Sequence, residues 1–290
     1  MNTTKIQWTD STFNPWWGCA KVSPGCANCY AETFSKRVGQ RVWGVSAEHR
    51  RFSDAHWEEP VKWNRMASAR NERQRVFCAS MADVFEGRPE DDADRARLFA
   101  LIEATPHLDW QLLTKRPENM VRLAPASWAG GWPRNVWAGC TVEDQAAADE
   151  RIPYLLRVPA SVRFLSCEPL LGPVDLARID QGATCDLLNA LEGSWRNRAP
   201  GSPPYRYPPA TGIHWVIVGG ESGPGARPMD LAWARSIVEQ CCAAGVPVFV
   251  KQLGARPVLD GAPLRLRDRK GGDMAEWPED LRVRQFPKGR

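Results

Sequence analysis

The sequence contains no run of apolar residues long enough to cross a lipid bilayer, a span that takes about 20 residues in a helix. Its first residues, Met1-Asn2-Thr3-Thr4-Lys5-Ile6, lack the apolar core of a secretory signal. We therefore expect a cytoplasmic protein without a membrane partner. The nine cysteines are an odd number, and without a secretory signal they favour metal binding or redox chemistry over a framework of disulfides.

Motifs for phosphate binding and for histidine chemistry are also missing. None of the four histidines falls in a metal or nucleophile motif, and we interpret them as structural: His49, His56, His107 and His214. The turn Gly223-Pro224-Gly225 lacks the spacing and the following lysine of a phosphate-binding loop. The formal net charge of +4 permits a nucleic-acid partner but does not by itself indicate one.

Short apolar strands alternate with amphipathic helices along most of the chain, whose 290 residues suit one large domain or two modest ones. Strands are predicted around residues 8–13, 75–80, 109–113, 135–140, 162–165, 213–218 and 246–250. Helices are predicted over 27–38, after Pro89, over 144–156 and over 231–244. The alternation predicts an α/β fold with a parallel sheet and right-handed crossovers. Periodicity does not decide between a partial (β/α) barrel and a flat, doubly wound sheet.

Three stretches depart from this alternation. Residues 40–74 show little periodicity, and we expect them to wrap the domain surface. Residues 181–212 are polar and proline-rich, which predicts an insertion between adjacent strands. Residues 254–290 are basic and rich in proline and glycine, which predicts a C-terminal extension packed on the domain. The predicted organisation is a barrel domain over 1–253, including the insertion, and an extension over 254–290.

One stretch, residues 16–30, carries three cysteines in the spacing C-x6-C-x2-C: Cys19, Cys26 and Cys29. Cys26 and Cys29 are able to point at one centre across the turn that Pro24-Gly25 supplies, with Cys19 as a third ligand. Because a four-iron cluster takes four ligands, three cysteines leave one iron open. A structural zinc site needs four closed ligands, and no histidine or fourth cysteine lies nearby. The alternative is two buried structural cysteines and an unrelated third.

This loop, with an aromatic residue after its last cysteine (Cys29-Tyr30), resembles the cluster loop of radical S-adenosylmethionine enzymes. The usual spacing in those enzymes is C-x3-C-x2-C, so the first gap here is longer. The chain is also similar to the phage Gp37/Gp68 family of uncharacterised proteins. That similarity covers nearly the whole chain, including Trp-Thr-Asp-Ser-Thr-Phe-Asn-Pro-Trp at 8–16 and Gly-Gly-Glu-Ser-Gly at 219–223.

The first resemblance implies a partial barrel with a helix after the loop. It implies a [4Fe–4S] cluster on Cys19, Cys26 and Cys29, with S-adenosylmethionine bound at the open iron. It also implies an electron donor such as a flavodoxin or a ferredoxin. Neither resemblance identifies the substrate or the oligomeric state.

Polar side chains follow every predicted strand, where ligands bind in parallel α/β folds. A single polar residue at a strand end needs no further explanation, because strands commonly end where the chain becomes exposed to solvent. Charges of both signs at several strand ends, however, predict one polar ligand site. We predict catalytic roles for Lys115, Glu143, Glu168 and Lys251. We predict cofactor contacts for Ser80, Asp83, Thr141, Ser166, Gly219, Gly220 and Glu221.

The resemblance to radical S-adenosylmethionine enzymes implies specific roles for these strand-end residues. Ser80 and Asp83 are placed to serve an amino group, after an early strand where radical enzymes bind the methionine amine. Glu143 and Glu168 accept hydrogen bonds from ribose hydroxyls or the amino group. Lys115 or Arg116 pairs with a carboxylate or phosphate. The glycines let the backbone approach a ligand or the cluster closely.

The leading hypothesis is therefore a radical S-adenosylmethionine enzyme, acting on a small molecule or a nucleic acid, with a nucleobase as the first candidate. The alternative is a nucleic-acid-binding phage-type protein with a purely structural metal or iron–sulfur site. In that case basic residues at 265–270 and exposed aromatic rings bind phosphates and bases. We interpret most of the fourteen tryptophans as filling a loop-rich core, with a stacking surface as the alternative.

Overall fold

A computed structural model describes residues 4–180, 186–197 and 212–287. Its strands are β1 (Ser11–Thr12), β2 (Gln74–Cys78), β3 (Leu108–Thr114), β4 (Val136–Thr141), β5 (Val162–Cys167), β6 (Ile179–Asp180), β7 (Asp186–Asn189), β8 (Ser194–Asn197), β9 (Trp215–Gly219), β10 (Met229–Asp230), β11 (Val248–Gln252), β12 (Pro257–Leu259) and β13 (Ala262–Pro263). Its helices are α1 (Tyr30–Arg37), α2 (Asp54–Ala69), α3 (Asp92–Ala104), α4 (Met120–Leu123), α5 (Gln145–Leu156) and α6 (Leu231–Ala244).

Seven strands form one parallel sheet in the order β1-β2-β3-β4-β5-β9-β11. The order follows the chain without reversal, as in a barrel, whereas a doubly wound sheet reverses its order at a switch point. The sheet curls into half of a barrel, and helices connect its strands. The predicted partial (β/α) barrel is thus confirmed. Among the described residues, no helix combines the length and the apolar character that crossing a membrane requires.

The first of two compact units comprises Met1–Gly139 and Val158–Ser161. Within it β1 pairs with β2 and β2 with β3, so that Ser11 faces Val76 and Val76 faces Trp110. Both Val76 and Trp110 are fully buried. α3 follows a turn that starts at Pro89, and acidic side chains occupy its first turn, where they complement the helix dipole.

The helices of this unit show one accurate prediction and one error. α1 lies within the predicted range 27–38, and the chain leaves it through Gly39, which has a positive φ of 77°. Residues 40–74 contain a helix that was not predicted from their weak periodicity, since α2 occupies Asp54–Ala69. α2 buries Trp57, Pro60, Trp63 and Ala67, a helical spacing that the internal proline disguises.

The second compact unit comprises Cys140–Arg157 and Val162–Arg290. β5 pairs with β9 and β9 with β11, all in parallel. The carboxylate of Asp144 caps α5 by accepting from the N–H of Ala147 at 2.9 Å. α6 spans Leu231–Ala244 as predicted and ends at Gly245, whose φ is 67°.

The predicted insertion and C-terminal extension belong to this second unit. β6, β7 and β8 form a small antiparallel sheet between β5 and β9, which are direct neighbours. The rest of the insertion, 181–185 and 198–211, lies outside the described residues. After residue 253, Trp277 and Leu281 are buried, and Val250 N donates to Val283 O at 2.8 Å. The division into 1–253 and 254–290 stays a prediction.

Most tryptophans of both units lie in the core. Trp16, Trp110, Trp128, Trp215 and Trp277 are among the largest side chains that are fully buried. This supports the interpretation that most of the fourteen are core residues.

Candidate functional site

The cysteine loop, residues 16–30, connects β1 to α1. Its three cysteines are unpaired thiols of intermediate exposure. Cys29 immediately precedes α1, and the backbone N–H groups of Ala31 and Glu32 point at its sulfur. Burial raises the pKa of the Cys29 thiol, while these N–H groups and the charge of Lys115 act in the opposite direction. N–H groups at a helix start are typical of sites that hold a thiolate.

Cys19 lies beside a buried arginine. Arg116 Nη1 is 3.8 Å from Cys19 Sγ, and Arg116 Nη2 donates to Ala20 O at 2.8 Å. Burial and the neighbouring carboxylates of Asp83 and Glu86 raise the pKa of the Cys19 thiol far above its ordinary value, and Arg116 opposes them. A thiolate at this position therefore depends on a positive partner, either Arg116 or a bound metal.

Asp83 is the residue that holds Arg116 in place. Its Oδ2 accepts from Arg116 Nη1 at 3.0 Å and from Lys115 N at 3.2 Å. Its Oδ1 accepts from Thr114 Oγ1 at 2.6 Å and from Phe85 N at 3.0 Å. Four bonds use the normal accepting capacity of a carboxylate, so the structure favours a positioning role for Asp83. The contact of Asp83 with a cofactor amino group stays a prediction.

The turn that follows β2 is joined to the cysteine loop. Asn14 Oδ1 accepts from Met81 N at 2.7 Å, and Asn14 Nδ2 donates to Ser80 Oγ at 3.2 Å. Tyr30, the residue after the last cysteine, donates its hydroxyl to Ser80 O at 2.8 Å. The predicted cofactor residue Ser80 is thereby connected to the predicted metal ligand Cys29 through Tyr30, which follows Cys29 in the chain.

Gly18 fixes the start of the loop through a close contact with a buried histidine. Its φ is 136°, and a Cβ at this position would lie 2.1 Å from His49 Cδ2 and 2.6 Å from Val42 O. His49 is held by Asp91 through Nδ1 at 3.0 Å and by Arg88 through Nε2 at 3.1 Å. Moving the His49 ring aside would break these hydrogen bonds at a cost in free energy, which agrees with the interpretation of His49 as structural.

We expect Gly18→Ala to lower the free energy of unfolding by at least about 3 kcal/mol, from backbone strain and overpacking together. The control is Gly39→Ala, where φ is 77° and no atom lies within 4 Å of an added Cβ. For Gly39→Ala we expect the free energy of unfolding to fall by about 1–2 kcal/mol, from the left-handed backbone conformation alone. Urea unfolding of the two variants checks this, and equal losses would contradict the steric argument.

In the second unit, the predicted carboxylates at the strand ends are paired with cations. Arg151 Nη1 donates to Glu143 Oε2 at 2.6 Å, and both side chains are almost fully buried. Arg227 Nη2 donates to Glu221 Oε1 at 2.6 Å. Lys251 Nζ pairs with Glu168 Oε1. Of the three glutamates in these pairs, Glu168 has the most exposed side chain.

Of the four residues predicted to be catalytic, Glu168 and Lys251 form an ion pair with each other. Both side chains keep slightly under a fifth of their surface exposed to solvent. Glu143 is instead fully buried against Arg151, so its direct access to a ligand is restricted. The predicted cofactor residues Thr141 and Ser166 are also buried, in β4 and β5.

The two predicted glycines permit close packing of the protein against itself. A Cβ on Gly219 would lie 3.3 Å from the Cγ and Cδ atoms of Glu168. A Cβ on Gly220 would lie 2.3 Å from Leu253 O. Gly219 therefore makes space for the Glu168 side chain, and Gly220 for the chain after β11. Their predicted approach to a cofactor remains a prediction.

Sequence reasoning missed the partners of these charges. Arg151 and Arg227 were not singled out, although Arg227 follows Glu221 by six residues and Arg151 lies on the buried face of α5. Glu86 was also missed, although it follows Asp83 by one short turn. A search for a cation within two turns of each strand-end carboxylate would have found both arginines.

The donor chemistry of the cysteine loop fits an iron–sulfur cluster. Three thiols, N–H groups aimed at Cys29 and a guanidinium beside Cys19 are features that stabilise cluster-bound thiolates. Within the described ranges, no three His, Cys, Asp or Glu side chains are already grouped as for a metal ion. Ligation by Cys19, Cys26 and Cys29 therefore requires their side chains to turn towards a common centre.

Comparison with known proteins gives one match. The model of a protein family described as "protein of unknown function (DUF5131)" matches residues 3–274. No curated protein and no solved structure matches the chain.

Proposed function

Since this chain belongs to the DUF5131 family, whose function is unknown, we propose an activity from its own residues. We propose a radical S-adenosylmethionine enzyme that holds a [4Fe–4S] cluster on Cys19, Cys26 and Cys29. The observation that carries the proposal is the place of the cysteine loop. The loop follows β1, the first strand of the partial barrel, and precedes α1. The hydroxyl of Tyr30, at the end of the loop, donates to Ser80 O in the turn after β2.

When bound, a [4Fe–4S] cluster with S-adenosylmethionine would supply reductive cleavage of the sulfonium to methionine and a 5′-deoxyadenosyl radical, with the electron taken from an external reductant. The protein's own residues hold and orient these groups. Tyr30 and Asn14 fix the turn that carries Ser80, and we propose that the Ser80 hydroxyl contacts the amino group of S-adenosylmethionine. Arg116, held by Asp83, donates towards Cys19 and offsets the negative charge that a thiolate ligand brings.

Roles for the second unit follow from its charge pairs. Glu168 and Lys251 offer an acceptor and a donor to the ribose hydroxyls or the carboxylate of the cofactor. Glu143 and Glu221 hold Arg151 and Arg227 and so fix the strand ends around them. We propose a nucleobase or nucleic acid as the substrate. A cytoplasmic location suits the cluster because thiols stay reduced there.

The test is anaerobic reconstitution with iron and sulfide, followed by the absorption spectrum, the iron content and an assay for 5′-deoxyadenosine with dithionite as reductant. The proposal expects a brown protein that cleaves S-adenosylmethionine slowly even without its substrate. An intact cluster with no cleavage and no affinity for S-adenosylmethionine would overturn it. The nucleic-acid-binding protein with a structural cluster would then be favoured.

Glu168→Gln is expected to raise the S-adenosylmethionine concentration for half-maximal cleavage by about tenfold, because it removes a charged acceptor from the cofactor. The iron content should stay at the level of the unmodified protein. Glu150→Gln, an exposed change on α5, is the control and should alter neither quantity. Unchanged concentration dependence in Glu168→Gln would remove Glu168 from the proposed site.

A further inference from the structure

A buried carboxylate beside the cysteine loop, that of Glu86, forms few bonds. Glu86 lies in the turn after β2, and its side chain is only 6% exposed. Among the residues that the structure describes, this carboxylate accepts a single hydrogen bond, from Ala20 N at 3.3 Å. Its ion pair with Arg116 is long, with 3.9 Å between Arg116 Nη2 and Glu86 Oε1. A buried carboxylate with such weak bonding lowers stability, so its presence requires an explanation.

The charge of Arg116 is directed mainly at another carboxylate. Arg116 Nη1 donates to Asp83 Oδ2 at 3.0 Å, and Asp83 accepts three further hydrogen bonds. The side chains of Asp83, Arg116 and Glu86 are each at most 10% exposed. Two carboxylates and one guanidinium leave this buried group with one excess negative charge, which we assign to Glu86.

This negative charge acts on the first cysteine of the loop. Glu86 is bonded to Ala20, the residue after Cys19. The carboxylates of Asp83 and Glu86 both contribute to the rise in the pKa of the Cys19 thiol, and Arg116 opposes them. Because buried charges are screened much less than exposed ones, the field of Glu86 extends to whatever is bound at the Cys19 sulfur.

We propose that Glu86 is a positioning residue that holds the cysteine loop at Ala20 and, through its negative charge, lowers the reduction potential of the cluster at Cys19. The inference rests on the proposed function for the presence of the cluster. Reduction transfers one electron from an external reductant to the cluster, with no change in any covalent bond. A fixed negative charge nearby disfavours this added charge, so the reduced cluster becomes a stronger reductant for the sulfonium.

The test is a redox titration of the reconstituted protein, followed by the visible spectrum and by the electron paramagnetic resonance of the reduced cluster. Glu86→Gln removes the charge, and its amide oxygen is still able to accept from Ala20 N. At a fixed ambient potential, the ratio of reduced to oxidised cluster should rise about tenfold in this variant. That ratio corresponds to a reduction potential about 59 mV more positive for one electron.

Two further variants separate the charge of Glu86 from its hydrogen bond. Glu118→Gln is the matched control, because it removes an exposed carboxylate two residues after Arg116 and should leave the potential unchanged. Glu86→Asp keeps the charge on a shorter side chain, and its potential should stay closer to the unmodified value than that of Glu86→Gln. A merely structural role predicts the opposite order, since the shorter side chain loses the bond to Ala20 N.

Equal potentials in Glu86→Gln and the unmodified protein would overturn the inference. A shift in Glu86→Asp as large as that in Glu86→Gln would overturn it as well, and so would loss of the cluster from Glu86→Gln, because either result assigns Glu86 a structural role alone. These outcomes leave the proposed function intact. If the unmodified protein binds no cluster, the proposed function is overturned and this inference with it.

Discussion

Replacing any one of Cys19, Cys26 and Cys29 by alanine is expected to leave the reconstituted protein nearly colourless, with iron close to background instead of about four atoms per chain. Each thiolate is proposed to hold a different iron, so the loss of one exposes a second open iron and the cluster falls apart. Formation of 5′-deoxyadenosine should stop in all three variants. Iron and sulfide analysis with the visible spectrum measures the first effect, and chromatography of the products measures the second.

The matched control for this prediction is Cys242→Ala, an exposed cysteine on α6 in the second unit. It should keep its colour, its iron and its activity, which excludes a general effect of removing an accessible thiol. If Cys26→Ala retained full iron content, the cluster would have to be held elsewhere. The three-cysteine site would then be abandoned together with the proposed function.

Arg116→Met is expected to lower the free energy of unfolding by about 3–5 kcal/mol, as is typical when one partner of a buried ion pair is removed. The change leaves Asp83 and Glu86 uncompensated, with side chains only 7% and 6% exposed. It also removes the bond to Ala20 O that shapes the chain beside Cys19. Chemical denaturation at neutral pH measures the loss.

The control is Arg97→Met, which breaks an exposed pair with Asp54 in the same unit. Because solvent screens that pair, we expect the free energy of unfolding to fall by less than about 1.5 kcal/mol. This figure includes the lost contact between Arg97 and the Trp57 ring. Adding Asp83→Asn to Arg116→Met should recover part of the stability, since it removes one uncompensated charge. Further destabilisation by Asp83→Asn would contradict the proposed electrostatic cause.

The decrease in the free energy of unfolding caused by Arg116→Met should also become larger as pH increases. Burial raises the pKa of Glu86, and the charge of Arg116 counteracts that rise in the unmodified protein. Without the arginine the folded-state pKa rises further above the unfolded value. Protonation then favours the folded state, so the stability deficit should be smallest at acidic pH and grow as pH increases through the folded pKa. A deficit independent of pH would contradict this assignment.

Helix and strand positions were predicted well where local signals agree. α6 matches its prediction at both ends because Asp230 caps its first turn and Gly245 adopts the left-handed conformation at its end. α2 was missed because its charged, tryptophan-rich sequence shows little clear periodicity. It also contains Pro60, and an internal proline lowers helix stability. Burial of two tryptophans on one face outweighs that cost here.

The sequence by itself determined the alternation of strands and helices and the local cysteine spacing, because both depend on residues close together in the chain. The tertiary structure decided which partner each charge takes. Asp83 bonds to Arg116 across 33 positions, and Glu168 to Lys251 across 83. Such pairing depends on how the strand ends and loops converge in space, and buried charges select the nearest cation of suitable geometry. For pairs this far apart in the chain, sequence spacing carries no information about the distance between the two charges, unlike the local pairs of Glu143 with Arg151 and Glu221 with Arg227.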